Sequence, residues 1–104
     1  LFRSTLGIVP EATLRTVPAD GASAVVLFLF DSVEKAGRAA TRVTPLGPSA
    51  CDLFDKRHLA LARGSRVDFD LLIPPVADSG LLVEFTADHA TAAGARVDEA
   101  IKRV

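Results

Sequence analysis

AVVLFLFDSVEKAGRAATRV, residues 24–43, reads as a strand running directly into a helix, and this junction decides the fold. Residues 24–30 form a continuous apolar run between turn residues, the pattern of a strand covered on both faces or nearly so. Asp31 ends the run, and Asp31 with Glu34 has the spacing of a capping box, in which each side chain reaches an orphan backbone N–H. Val33, Ala36, Ala40 and Val43 then recur at helical spacing, while Glu34, Lys35, Arg38 and Arg42 fall on the other side. Small alanines on the apolar stripe allow such a helix to lie close to a sheet. Pro45 and the pair Gly47-Pro48 stop it.

Toward the C-terminus, SACDLFD at 49–55 is short and strand-like, and KRHLALAR at 56–63 carries Leu59, Leu61 and Ala62 into a second helix closed by Gly64. Residues 64–80, with Pro74-Pro75, form a long loop or a loop containing a short helix around Phe69–Leu72. LLVEFT at 81–86 is a strand whose alternation puts Leu81, Val83 and Phe85 on one face, with Leu82, Glu84 and Thr86 on the other. Glu84 is thereby expected to be half-exposed. Asp88 is placed to cap a final helix with Ala90, Ala93, Val97, Ala100, Ile101 and Val104 on one stripe. Toward the N-terminus, TLGIVPEATLRTV at 5–17 is extended in character. Pro10 cannot donate to a sheet ladder, which predicts an edge strand or two short strands meeting at a kink. Pro18 to Gly21 reads as a turn or linker. The expected fold class is α+β, a sheet backed by helices on one face. The last helix has no strand after it, so the final αβ unit reads as cut at Val104.

The 104 residues are enough for one modest core. The apolar run at 24–30 is far shorter than the roughly 20 residues of a membrane-spanning helix, and neither a signal peptide nor an anchor is visible. The net charge of −1, with acids and bases interspersed, argues against a nucleic-acid footprint. Lys56, Arg57, Arg63 and Arg66 are read as a solvated helix face. The single cysteine, Cys51, rules out an internal disulfide, suggests a reducing compartment, and is expected to be buried and inert.

Residues that could carry chemistry do not converge in the sequence. His58 and His89 lie far apart without metal-ligand spacing, and both are expected at the surface. Ser4, Ser23, Ser32, Ser49, Ser65 and Ser79 sit in turn or cap contexts, where hydroxyls bond the backbone. The glycines form neither a phosphate loop nor a dinucleotide turn. Asp68 and Asp70 read as solvated loop charge. No catalytic residue and no metal ligand is assigned.

The segment STLGIVPEATLRTVP, residues 4–18, resembles the SEGTLGIVTEATLRLVP block that ends the flavin domain of the FAD-linked oxidase family. This is the vanillyl-alcohol-oxidase-like class that includes D-lactate dehydrogenases and the glycolate oxidase flavin subunit. LFLFDSVEKAGRAA at 27–40 looks like the family's LVFFDSLEAA, Pro48 to Arg57 like its P-S-A-x-E-L-x-D-R segment, and LLVEF at 81–85 like the strand opening the next αβ unit. The family's S-E-G is Phe2-Arg3-Ser4 here, and its threonine after I-V is Pro10.

The resemblance implies that Thr5, Leu6, Gly7, Ile8 and Val9 lie along FAD in a parent protein, with Glu11 and Thr13 as supporting structure. A glycine suits close approach of cofactor to backbone. It implies that residues 1–20 are the tail of an FAD domain plus linker, and that 21–104 are part of a ferredoxin-like cap domain. The parent would oxidise a 2-hydroxy acid of lactate or glycolate type and pass electrons to an iron–sulfur or quinone acceptor. The isolated chain is expected to hold no FAD and to be inactive. Its expected partners are the rest of the flavoprotein, an iron–sulfur part, and a second copy across an open sheet edge. The expected location is cytoplasmic, or membrane-peripheral in the parent. A stand-alone α+β ligand-binding or protein-interaction module is the competing reading.

Overall fold

The structure, a computed structural model, describes residues 6–19 and 21–104. Strand β1 (Ala22–Phe30) leads into helix α1 (Val33–Val43) and a single 3-10 turn, Thr44–Leu46. Strand β2 (Ala50–Asp55) is followed by helices α2 (Lys56–Ser65) and α3 (Val67–Leu72), then strand β3 (Ser79–Ala87) and helix α4 (Ala90–Arg103). The sheet has the order β1-β3-β2, and β3 is antiparallel to both neighbours. Strands β1 and β2 are therefore parallel to each other, joined by α1 across the strand between them. This is the α+β architecture expected from the sequence.

The register sorts side chains into two faces. Val26 and Cys51 both oppose Val83, so the row Leu81, Val83, Phe85 shares its face with Val26, Phe28 and Cys51. Helices α1 and α4 cover this face through Ala39, Val43 and Ala100, with Val97 packed alongside. Alanine at the contact positions lets the helix backbones approach the sheet. A smaller cluster of Leu59, Ile73 and Ala77 packs on Leu29 and Phe54, so α2 and α3 cover one end of the opposite face.

Several local expectations need correction. Strand β1 is an edge strand, not one covered on both faces: Val25 and Leu27 are 53% and 39% exposed. The central position belongs to β3, which pairs with β1 along its whole length and with β2 from Ser79 to Glu84. The strand expected over 5–17 is absent among the described residues 6–19, all of which are exposed. An extended segment needs a partner edge to become a strand, and none lies beside this one.

Helix α1 is capped by Ser32, whose side chain accepts from the Lys35 N–H at 3.3 Å, rather than by an Asp31–Glu34 box. The Asp31 carboxylate is instead engaged by the Lys35 ammonium at 2.7 Å, which holds its pKa below the usual carboxylate value. The N-cap of α4 is His89, not Asp88, and it makes no side-chain capping bond. Helix α2 continues past Gly64 to Ser65, whose hydroxyl donates to the Ala62 carbonyl at 2.7 Å. Ser23 and Ser79 lie in strands. The fully buried Ser79 hydroxyl donates to the Ser32 carbonyl at 2.8 Å, tying the start of β3 to the start of α1. The short helix expected around 69–72 is present as α3, and Glu84 is half-buried as its alternation requires.

Candidate functional site: an open sheet face beside an exposed N-terminal segment

The sheet face opposite α1 and α4 is only partly covered. Its rows run Val25, Leu27, Leu29 on β1, then Glu84, Leu82, Gly80 on β3, then Ala50, Asp52, Phe54 on β2. Leu59 of α2 rests over Gly80: a Cβ added there would stand 3.3 Å from Leu59 Cδ2. Between α2, α3 and the sheet lies a cavity of about 240 Å³, lined by Leu27, Leu82, Phe54, Leu59, Ala62, Phe69, Ile73 and His58. Apart from the His58 ring, the lining is apolar, so the cavity suits a small apolar group rather than a charged one.

His58 lines this cavity, and Asp55 is its partner at the start of α2. Asp55 caps α2: its Oδ1 accepts from the His58 backbone N–H at 2.9 Å and lies 2.8 Å from His58 Nδ1. The backbone bond first, and the ring contact second, hold the Asp55 carboxyl below its usual pKa. Both side chains are largely exposed, at 59% and 67%, and the carboxylate is committed to the helix terminus. The pair is therefore a helix cap with a surface histidine, as expected for His58, and not an assembled acid–base couple.

A pH dependence follows from the cap. A lowered carboxylate pKa contributes stability above the unfolded-state value, and that contribution is lost as pH falls through the folded value. Asp55→Asn keeps an N-cap acceptor but does not titrate. The variant is expected to show a flatter decline of Tm on acidification below roughly pH 5 than the wild type. Thermal melts of the two proteins across that range check it.

The other candidates are dispersed. Ser49 Oγ lies 2.8 Å from Glu84 Oε1 and 3.0 Å from the Glu84 carbonyl, one of which takes its proton. Cys51 is half-buried with a thiol pKa raised by burial and, secondarily, by the Asp52 charge, so it is a poor nucleophile. Asp68 pairs with Arg66 at 3.0 Å on the surface, and His89 is exposed. Among the described residues no group of three His, Cys, Asp or Glu could hold a metal ion, and no helix is long and apolar enough to cross a membrane. A second groove, of about 360 Å³, is lined by Phe30, Lys35, Arg38, Ala39, Arg42 and Val104.

Of the residues expected along FAD, Thr5 lies outside the described residues. Leu6, Ile8 and Val9 are 83%, 94% and 78% exposed. Gly7 has φ +147°, and a Cβ there would meet nothing within 4 Å, so one flank of this backbone is open. Among the described residues no second element closes over the segment, and these residues do not by themselves form a flavin cradle. The cavity-lining residues Leu27, Phe54, Phe69 and Leu82 escape sequence reasoning. Their signal is the strand alternation that pairs Leu82 with Glu84, but which strand lies beside β3 is a tertiary fact.

Taken together, the chain is an α+β unit with one helix-backed face, one partly open apolar face, and an exposed extended segment leading into it. It belongs to the family of FAD linked oxidases, C-terminal domain, whose family model matches residues 20–104. Comparison with curated proteins and with solved structures gives no match.

Proposed function

We propose that this chain is the cap portion of an FAD-dependent oxidoreductase that oxidises a 2-hydroxy acid of lactate or glycolate type. The observation that carries the reading is the exposed segment Leu6 to Val17, with Leu6, Ile8, Val9, Leu14 and Val17 all at least 78% exposed, next to a family-matched domain. So many exposed large apolar side chains in one segment favour a covering partner. The flavin domain of a parent protein is the partner that the resemblance names, with Thr5, Leu6, Gly7, Ile8 and Val9 lying along the cofactor. The partly open sheet face and its apolar cavity would then receive the apolar substituent of the 2-hydroxy acid, such as the methyl group of lactate, while FAD is held by the parent. Electrons would pass to an iron–sulfur or quinone acceptor. The single cysteine fits a cytoplasmic parent, and the net charge of −1 gives no support to a nucleic-acid partner.

Two measurements test this. The purified chain is expected to leave the absorbance and fluorescence of added FAD unchanged and to oxidise no 2-hydroxy acid; a bound flavin would overturn the division of labour. In the parent enzyme, Phe69→Ala, in the lining of the cavity, is expected to raise KM for the 2-hydroxy acid about tenfold with a smaller change in kcat. An unchanged KM would remove this cavity from the substrate path. A bound flavin in the purified chain, by contrast, would favour the alternative of a stand-alone ligand-binding module.

A further inference from the structure

The cavity between α2, α3 and the sheet is larger than a methyl group needs. Its volume is about 240 Å³, and an apolar protein cavity of about 150 Å³ already holds benzene. A methyl group takes about the space of one water molecule, roughly 30 Å³, so lactate would leave most of the cavity empty. Water is a poor filler as well. It needs roughly two to four polar partners, and His58 is the only polar side chain of the lining. Nor do the chain's own side chains close the space. Leu59 and Leu27 converge over Gly80, standing 3.3 and 3.4 Å from where a Cβ there would lie. One turn on, α2 offers the cavity only Ala62, while Leu61 of α2 and Leu71 and Leu72 of α3 are exposed. Rings make up part of the wall: Phe69, and Phe54 beside His58 with centroids 6.2 Å apart.

We propose that this cavity selects 2-hydroxy acids with a bulky apolar side chain, aryl or branched alkyl, over lactate and glycolate. This selectivity rests on the chain being the cap of a 2-hydroxy-acid oxidoreductase, and it narrows the acid that such a cap receives. A phenyl ring with its methylene fits the volume, and burying it against Leu27, Leu82, Phe54 and Phe69 removes apolar surface of ligand and protein from water together. The aromatic walls accept a ring edge or face as readily as methyl groups. The carboxylate and hydroxyl stay outside, because a charge within an apolar lining would lack partners. Nδ1 of His58 lies 2.8 Å from Asp55 Oδ1, so Nε2 is the ring nitrogen left for the polar end of the ligand. Ala62 is the specificity-determining position: its short side chain leaves the space that a leucine there would take.

The test titrates the chain with 3-phenyllactate, 2-hydroxyisocaproate and lactate at millimolar concentration, while carbon–proton NMR spectra follow the methyl groups of Leu27, Leu59 and Leu82. Shifts of these signals are expected with the first two acids and not with lactate, and the larger response tells ring from branched alkyl. No shift with either bulky acid, or an equal response to lactate, overturns the selectivity. Ala62→Leu and Ala62→Phe fill the cavity in two steps. They are expected to weaken binding about tenfold and to abolish it, with an unchanged far-UV circular dichroism spectrum. Undiminished binding by either variant in folded form places the ligand elsewhere and overturns the site. In the parent enzyme, kcat/KM for the better of the two bulky acids is expected to exceed that for lactate about tenfold or more. A parent that oxidises no 2-hydroxy acid, with the shifts in the chain intact, strikes the underlying reading and keeps the apolar site. A parent that prefers lactate keeps that reading and overturns the selectivity.

Discussion

Replacing Phe85 by alanine is expected to lower the unfolding free energy by about 3–5 kcal/mol, the largest effect of any single truncation in this chain. Phe85 is fully buried on the central strand, with the residues on either side of it in the row, Val83 and Ala87, belonging to the same sheet face. Helices α1 and α4 meet the sheet through Ala39, Ala100, Val43 and Val97, side chains too short or too stiff at χ1 to fill a hole left below them. The cavity would therefore remain open, and a cavity that cannot collapse costs more than the transfer term alone. A domain of this size has a total stability of roughly 5–10 kcal/mol, so the variant should sit near its unfolding midpoint at modest urea concentration. Urea titration followed by circular dichroism reads the shift. A loss below about 1 kcal/mol would mean that Phe85 is not the centre of the core.

The second large effect is expected at Arg96. Its guanidinium lies 5.1 Å from the centroid of the Phe85 ring. The same group donates from Nη2 to the Leu46 carbonyl, with the Gly47 carbonyl 3.4 Å away. Arg96 thereby ties α4 to the turn that ends α1, where Gly47 takes a left-handed φ of 66°. Arg96→Leu retains an apolar stem over the ring but leaves the partly buried Leu46 carbonyl without its donor. A cost of about 2 kcal/mol is expected from the lost bond and the lost cation–ring attraction together. Arg96→Lys should recover little of it, because an ammonium is a compact point charge without the planar fork that reaches the carbonyl while stacking on Phe85. A double-mutant cycle with Phe85→Leu is expected to give a coupling of roughly 0.5–1 kcal/mol, measured from urea midpoints.

The local elements were largely legible in the residues. The junction at 24–43 yields a strand and a helix because an apolar run gives way at Asp31 to an apolar stripe of helical period. LLVEFT yields a strand whose two faces differ as its alternation says. The cap of α1 departs from the capping-box spacing because Asp31, Ser32 and Glu34 offer competing partners, and the ion pair of Asp31 with Lys35 leaves the capping role to Ser32. The extended segment before residue 19 has the composition of a strand, yet it pairs with no strand of the sheet among the described residues.

Local periodicity is a property of neighbouring residues, and so the sequence alone determined the strands at 24–30 and 81–86, the long helices and the α+β class. The resemblance over 4–18 and beyond likewise pointed to the FAD-linked oxidase family that the match to residues 20–104 shows. Which strand would be central was a different kind of question, because strand order depends on hydrogen bonds between residues far apart in the chain. Placing β3 between β1 and β2 turns the apolar run at 24–30 from an interior strand into an uncharged edge. The same placement brings Leu27, Phe54 and Leu82 together around one cavity, a grouping that no spacing along the chain encodes.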